Sequence, residues 1–306
     1  KMVEVLGRSL RSMYSGIVCL SMRILSLICT LDLSSLRHIM PAVVARVFDL
    51  LGKAILGSSN TSQQAINLLI VVIKNCQYCE IGKEKFIFLV NMIMPELEEQ
   101  TPEKQSTIFA LIKAIISRKI AIPEIYDMMQ RVSHVMITTH NLQVQELSRS
   151  SFMDFLATYP LDDAPMKRQL DFLIKNLDYE YEDGRYSVMQ MFSLILNRMK
   201  PDLINNYGEI FFLAFITRRL NDDSRKCKTL SEELLISLMS KLNQGKIEKI
   251  LIIVDSWLTN EDSNPELIRG ASIFVLLLSN QKVNGTSSWM SKCGFTLINT
   301  LENLCI

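Results

Sequence analysis

Apolar residues recur along the chain with the period of an α-helix. Ile108, Leu111, Ile112, Ile115 and Ile116 fall at offsets of 0, 3, 4, 7 and 8. These offsets place the five side chains on one face of a helix, whereas a half-buried strand alternates apolar and polar residues. Because no segment shows a convincing strand alternation, the pattern predicts an all-α protein.

The same offsets occur in three further segments. They are Val144, Leu147, Ser148, Ser151 and Phe152; Val188, Met191, Phe192, Ile195 and Leu196; and Cys227, Leu230, Ser231, Leu234 and Leu235. Before such helices stand residues whose side chains accept hydrogen bonds from the free N–H groups of a helix start. The predicted caps are Asn60, Thr101, Asn141, Asp183, Asp223 and Asn264, and successive caps lie 40 to 42 residues apart.

A second family of helices lies between the capped ones. Its predicted starts are near Pro41, Glu84, Pro123, Pro165, Gly208 and Gly245. Proline suits the first turn of a helix, where its missing N–H costs nothing. The unit is therefore a helical hairpin, and a period of ~40–47 residues with two helices is typical of HEAT and armadillo repeats. The predicted fold is an α-solenoid of HEAT/armadillo-like hairpins of about 41 residues.

We expect one continuous solenoid segment over residues 1–306. The predicted repeats cover approximately residues 34–80, 81–120, 121–160, 161–200, 201–243 and 244–282, with a partial unit at each end. A lone helix is predicted from about Ser15 to Thr30, and another from about Ser288 onward. Solenoid ends need polar capping repeats, so these unpaired apolar ends indicate a piece of a longer solenoid.

The composition narrows the function classes. Hydrophobic residues make up 48% of the chain, enough for a sizeable core, and glycine is 11 of 306 residues. This glycine content is about half of the usual ~7%, so phosphate-binding loops are scarce. The 33 basic and 32 acidic residues give a net charge of +1, which argues against a chain that coats nucleic acid non-specifically. Every apolar run is shorter than the ~20 residues that span a bilayer, so no membrane partner is expected.

The seven cysteines indicate a reducing compartment. Their number is odd, and most lie inside apolar helical stretches, as buried free thiols do. Cys76 and Cys79 have a spacing found in zinc sites, but a second pair of ligands is missing. The histidines do not form a pair at ligand spacing either. We therefore predict no metal and no other cofactor.

Candidate catalytic motifs have simpler explanations. The acidic pairs Asp162-Asp163, Glu182-Asp183 and Asp222-Asp223 each stand beside a predicted helix start, where negative charge opposes the helix dipole. Gly245-Lys246 resembles the end of a P-loop, but Ser240 replaces its first glycine. We expect neither an enzyme nor a small-molecule substrate.

One basic cluster is a candidate RNA contact. It contains five cations in eleven residues: Arg218, Arg219, Arg225, Lys226 and Lys228. Two interpretations remain open, namely a pair of solvated helix ends and a phosphate-binding site. The intervening Asp222 and Asp223 weaken the second interpretation because they repel phosphate.

Four segments in order carry a resemblance to a known family. They are "LIKAIISRKIAIPEIYDMMQRVS" (111–133), "YPLDD" (159–163), "LDFLIKNLDYEYEDGRYSVMQMF" (170–192) and "LNDDSRKCK" (220–228). Within the third, Asn176, Tyr179-Glu180 and Gly184-Arg185 match the family pattern. From about residue 101 to 280 the chain resembles the family of small-subunit processome component 20, also called down-regulated in metastasis.

The resemblance implies a fragment of a very long nucleolar HEAT-repeat protein. It further implies a scaffold of the small-subunit processome that is needed for 18S rRNA maturation. The implied partners are processome proteins, U3 small nucleolar RNA and pre-rRNA, and the family offers no catalytic residues to carry over. The alternative is a nuclear transport receptor of the importin type, also a helical-repeat solenoid. Such receptors usually carry an acidic balance, which the net charge of +1 does not support.

Overall fold

The computed structural model describes residues 2–31, 33–53, 60–98, 102–259 and 264–280. Every regular element in these ranges is a helix, and none of them is a strand. The α-helices are α1 (Met2–Ser9), α2 (Ser15–Ile28), α3 (Met40–Lys53), α4 (Asn60–Asn75), α5 (Lys83–Ile93), α6 (Pro102–Ser117), α7 (Pro123–Thr138), α8 (Leu142–Thr158), α9 (Asp163–Asn176), α10 (Glu182–Arg198), α11 (Pro201–Asn221), α12 (Arg225–Lys241), α13 (Gln244–Thr259) and α14 (Pro265–Asn280). Short 3-10 helices cover Ser34–Leu36 and Met94–Glu98. None of the helices described here has the length and apolar character needed to cross a bilayer.

The helices form two compact units, residues 1–162 and residues 163–306. In the first unit, α3 and α4, α5 and α6, and α7 and α8 are successive hairpins. The second helices of these hairpins pack side by side, α4 on α6 and α6 on α8, and α2 packs on the other side of α4. The core lies along this row, where Ile112 of α6 and Phe152 of α8 are fully buried.

The second unit repeats this arrangement by itself. Its hairpins are α9 and α10, α11 and α12, and α13 and α14, and α12 packs on both α10 and α14. Aromatic rings fill its core: the ring centroid of Phe192 lies 5.3 Å from that of Phe211 and 5.2 Å from that of Phe215. The predicted all-α, hairpin-repeat fold class is confirmed.

Polar contacts also join successive hairpins. At the end of α6, Arg118 donates hydrogen bonds to the carbonyl oxygens of Ile73 (2.7 Å) and Cys76 (2.9 Å) at the end of α4. The Tyr159 hydroxyl after α8 donates to the carbonyl oxygen of Ile120 at 2.6 Å. The contact to Ile73 satisfies one of the last four carbonyls of α4, which have no partner within the helix.

Two predicted caps are confirmed. Asn141 Oδ1 accepts hydrogen bonds from the backbone N–H groups of Gln143 (3.0 Å) and Val144 (3.3 Å). Asn264 Oδ1 accepts from the N–H of Glu266 at 3.0 Å. Asn60 is the first residue of α4, and Thr101 lies outside the described residues.

Three predicted starts are wrong. Asp183 lies inside α10, whose cap position is occupied by Tyr181. The cap of α12 is Ser224, one residue after Asp223, because the Ser224 hydroxyl accepts from the N–H of Cys227. Gly208 lies inside α11, which begins seven residues earlier at a proline.

Packing explains the glycine at position 208. A Cβ on Gly208 would lie 2.6 Å from a methyl carbon of Leu242, a distance that real side chains do not adopt. Gly208 therefore allows α11 to approach the end of α12, and it does not start a helix. The regular period of about forty residues concealed the stronger start signal at Pro201.

The predicted lone first helix has a partner. α1 packs against α2, so the segment from Ser15 is the second helix of a pair. Its first helix escaped the sequence analysis because α1 has only 8 residues. The helix predicted from Ser288 lies outside the described residues.

Candidate nucleic-acid interface

The predicted basic cluster lies at the turn inside the hairpin of α11 and α12. Arg218 and Arg219 are in the last turn of α11, and the other three cations are in the first turn of α12. The turn itself contains Asp222 and Asp223. The structure thus places all five predicted residues at one end of the hairpin. The two arginines of α11 and the three cations of α12 have different surroundings.

The two arginines of α11 are engaged in ion pairs. Arg218 pairs with Asp178, and its Nη1 lies 3.8 Å from Oδ2 of Asp222. Arg219 pairs with Glu232 of α12. Because their charges are largely neutralised by these carboxylates, neither guanidinium is free for a phosphate.

The three cations of α12 face solvent to a larger extent. Arg225 and Lys226 are exposed and Lys228 is half-buried. The Lys226 Nζ lies 3.7 Å from the centroid of the Tyr186 ring, a cation–π distance. Cations at the start of a helix oppose its dipole, so helix stability alone does not account for them.

The main polar contact at this turn is one that sequence reasoning missed. Arg185, which is 6% exposed, donates from Nε to Oδ2 of Asp222 at 2.9 Å and from Nη2 to Oδ1 at 3.0 Å. Its Nη1 donates to the carbonyl oxygens of Tyr179 (3.0 Å) and Glu180 (2.8 Å). The guanidinium therefore ties the turn before α10 to the turn before α12.

This arrangement shifts two pKa values. The hydrogen bond to Asp222 raises the pKa of Arg185 above that of an ordinary arginine. A hydrogen bond from its own backbone N–H, with the nearby Arg185 charge, lowers the pKa of Asp223. Arg185 and Asp223 are therefore both charged at neutral pH, and their ion pair is a structural contact between the two turns.

Acidic residues also lie at the neighbouring turn that Arg185 links to the basic cluster. Four exposed carboxylates lie in or beside the turn between α9 and α10: Asp178, Glu180, Glu182 and Asp183. They reduce the local attraction for phosphate that Arg225, Lys226 and Lys228 supply.

The thiols form a separate, buried group. Cys76 and Cys79 lie just after α4, and Cys29 joins them from the end of α2. A hydrogen bond with Cys76, followed by burial, raises the pKa of the Cys29 thiol, and burial raises that of Cys79. Raised pKa values keep thiols protonated and weaken them as metal ligands and nucleophiles. Within the described ranges, no three potential ligands are grouped as a metal site would need.

Comparison with known proteins identifies relatives for the chain. No family model matches it. Over 279 residues, 91% of the chain, it is 27% identical to U3 small nucleolar RNA-associated protein 20 of Saccharomyces cerevisiae. It is 28% identical over 190 residues, 62% of the chain, to the protein of that name from Schizosaccharomyces pombe. The chain is thus similar in sequence to U3 small nucleolar RNA-associated protein 20 of two yeasts.

The resemblance predicted from the four segments is thereby confirmed. The chain spans 11% of the length of the first U3 small nucleolar RNA-associated protein 20 and 8% of the second. It therefore corresponds to a small part of these relatives.

Solved structures support the fold. The karyopherin Kap121p, in a structure with the SUMO protease Ulp1p, has a TM-score of 0.56 at 10% identity, covering 98% of this chain and 36% of that one. A mutant of Kap121p has a TM-score of 0.55 at 10% identity with the same coverage. At this identity the likeness shows a helical-repeat fold and carries no information about function.

Proposed function

We propose that this chain is a segment of a scaffold protein of the small-subunit processome, acting in 18S rRNA maturation without catalytic turnover. The observation that carries the proposal is the sequence similarity to U3 small nucleolar RNA-associated protein 20 over 91% of the chain. The implied location is the nucleolus. The implied partners are processome proteins, U3 small nucleolar RNA and pre-rRNA.

The architecture supports a scaffold. Repeated hairpins offer extended faces made of many side chains, to which large partners bind through distributed contacts. In the second unit, the hydrogen bonds of Arg185 to Asp222 join one hairpin to the next. They serve to keep a surface in shape and do not resemble the paired acid and base of a catalytic site.

Depletion of the full-length protein tests the proposed function. We expect early precursors of 18S rRNA to accumulate, as northern hybridisation or long-read sequencing of pre-rRNA would show. Normal 18S maturation after complete depletion would contradict the proposal. Co-purification separates it from the transport-receptor alternative, because a scaffold brings down pre-rRNA and nucleolar proteins, whereas a receptor brings down a small GTPase and cargo.

The RNA contact proposed at the start of α12 needs a narrower test. Arg218 and Arg219 hold ion pairs, so their reversal would disturb the fold as well as any contact. The informative variant is Arg225→Glu with Lys226→Glu and Lys228→Glu in the full-length protein. Reduced crosslinking to pre-rRNA is expected, and unchanged crosslinking would indicate that these cations are only solvated helix ends.

A further inference from the structure

Each hairpin has two ends that can be examined for charge. At one end lies the turn between the two helices of a hairpin. At the other end lies the loop that connects one hairpin to the next. In the first unit these connecting loops are residues 29–39, 76–82 and 118–122. Together with the helix turns that flank them, they form what we term the connecting edge.

The three loops lie side by side. The guanidinium carbon of Arg37, in the first loop, lies 5.4 Å from the centroid of the Tyr78 ring in the second. Arg118, the first residue of the third loop, donates from Nη1 to the carbonyl oxygen of Gln77 in the second loop at 3.3 Å. The connecting edge is therefore continuous across three successive hairpins.

Cations predominate along this edge. They are Arg37, Lys74, Lys83, Lys85, Arg118 and Lys119. Lys74, Lys83 and Lys119 are exposed, and their ammonium groups form no ion pair within the described part of the chain. This differs from the cluster at α11, where carboxylates neutralise the two arginines.

The opposing charges are fewer. Glu80 and Glu84 are exposed on the same edge, and Glu124 is half-buried. Asp32 also belongs to the first loop but lies outside the described residues. The next loop, residues 159–162, carries Asp162 and no cation, so the basic stretch ends at residue 122.

Helix stability does not explain all of these positions. Lys74, in the last turn of α4, and Arg118, just after α6, complement the negative ends of their helices. Lys83 and Lys85 lie in the first turn of α5, where the dipole repels a cation. The cap residue there is Gly82, which offers no side-chain acceptor to the free N–H groups. Lysines and free N–H groups together suit an anion.

The second unit also carries lysines at its connecting loops. Lys200, at the cap position of α11, and Lys241, in the last turn of α12, lie at connecting loops and are exposed. At the opposite ends of these hairpins, the turn between α9 and α10 carries Asp178, Glu180 and Glu182, whereas the turn between α11 and α12 carries the basic cluster together with Asp222 and Asp223.

We propose that the connecting edge of the first unit binds the sugar–phosphate backbone of RNA. The inference deepens the proposed function, on which it rests for the choice of RNA as the polyanion. Packed helices lie ~8–10 Å apart, so successive loops present cations at regular intervals along a line. A strand with a charge on every residue matches such a row better than an acidic patch of a folded protein does. The contact is independent of base sequence because it is made to phosphates.

The test is a charge reversal on the edge. The variant Lys74→Glu with Lys83→Glu and Lys119→Glu changes exposed side chains only. Binding of a fluorescein-labelled oligouridylate is followed by fluorescence anisotropy over a range of salt concentrations. We expect the affinity to fall at least about tenfold, and the slope of log K against log salt to fall by about 2, since each single-strand phosphate contact contributes ~0.7.

A matched control separates position from net charge. Arg8→Glu with Arg11→Glu and Arg23→Glu makes the same charge change on exposed residues of the same unit, away from the connecting edge. We expect this control to keep most of the wild-type affinity. Equal losses in both variants would show that only net charge matters, and no loss in the edge variant would remove the site; either result overturns the proposal.

Two further outcomes are distinguishable. If the reversed variant does not fold, as circular dichroism would show, the Lys→Gln version at the same three positions carries the test, with the same expected change of slope. If the wild-type chain binds no RNA, and the edge variant instead loses a crosslinked processome protein, the edge docks an acidic protein and the RNA proposal is wrong. Normal 18S maturation on depletion would contradict the proposed function while leaving measured RNA binding intact.

Discussion

Arg185 and Asp222 lie 37 residues apart in the chain and form a two-point ion pair, with hydrogen bonds of 2.9 and 3.0 Å. Both residues are buried, with 6% and 3% of their surfaces exposed. Asp222 Oδ1 also accepts from the backbone N–H of Ser224 at 2.9 Å. One carboxylate therefore fixes the start of α12 and holds the neighbouring hairpin in place.

Removing one member of this pair should destabilise the second unit strongly. Arg185→Met keeps the volume but removes both hydrogen bonds from the guanidinium to the buried Asp222 carboxylate, which keeps only Arg218 at 3.8 Å, and we expect a cost of about 3–5 kcal/mol. Urea unfolding should show this loss. Arg185→Met combined with Asp222→Asn removes both charges, so we expect it to recover part of the stability. If the double variant lost more stability than the two single variants together, a direct interaction between Arg185 and Asp222 would be contradicted.

Arg118 should stabilise the end of α4, although it lies more than 40 residues later in the chain. Arg118→Met removes the donor to the carbonyls of Ile73 and Cys76, and we expect a loss of about 2 kcal/mol because bonds to a charged donor are worth ~1.5–3 kcal/mol. Hydrogen exchange should rise in the last turn of α4. The control Lys119→Met alters an exposed neighbour and should change stability by less than about 0.5 kcal/mol. Equal effects of the two changes would argue against the carbonyl contacts.

Two buried hydroxyls of α8 should be dispensable. Ser148 and Ser151 are fully buried, and within the described structure their Oγ atoms have no hydrogen-bond partner. Replacing either with alanine removes an unsatisfied polar group, so each change should stabilise the chain by about 1 kcal/mol.

Ser231 of α12 is the matched control for this pair. It is equally buried, but its hydroxyl donates to the carbonyl oxygen of Cys227 at 3.0 Å. Ser231→Ala should therefore bring no gain. Thermal unfolding of the three variants measures the difference, and a destabilised Ser148→Ala would indicate a partner for that hydroxyl.

Stability should fall at alkaline pH. A hydrogen bond with Cys76 and burial raise the pKa of Cys29, and burial raises the pKa values of Cys79 and Cys227. The folded chain thus keeps these protons to a higher pH than the unfolded chain, whose thiols titrate near pH ~8.5. Their contribution is complete below that pH and declines above it, by up to about 1.4 kcal/mol per pH unit for each thiol.

Urea midpoints measured across this range test the expectation. Cys227→Ala removes one of the shifted thiols, so its midpoint should fall less steeply with pH than that of the wild-type chain. A midpoint that stays level between pH ~8 and ~10 would be incompatible with buried, protonated thiols.

The helical hairpins could be predicted from the sequence, but the side-chain contacts between hairpins could not. Stripes such as the one through Ile112 depend on local periodicity, and Asn141 and Asn264 cap helices through atoms two or three residues away. The cap of α12 was predicted at Asp223, one residue before the observed cap Ser224. Aspartate and serine are preferred about equally at this position, so the sequence alone does not choose between them.

Arg185 could have been found from its position. It lies three residues before Val188, on the apolar stripe of α10, where a charged residue needs a buried partner. The sequence does not reveal which carboxylate forms the ion pair with Arg185. For the same reason, the sequence located the basic cluster but not the ion pairs of its two arginines. Asp178 lies 40 residues before Arg218, and Glu232 reaches Arg219 only across the hairpin.

The hydrogen bonds of Arg118 to residues much earlier in the chain imply an order in which the hairpins fold. Its guanidinium completes the end of α4 by bonding to Cys76, 42 residues earlier, and Tyr159 bonds to a carbonyl 39 residues earlier. During synthesis, the loops after α4 and α6 therefore lack these side-chain donors until the following hairpin has left the ribosomal tunnel. We expect the first unit to mature from its amino-terminal end, always one hairpin behind the newest residues.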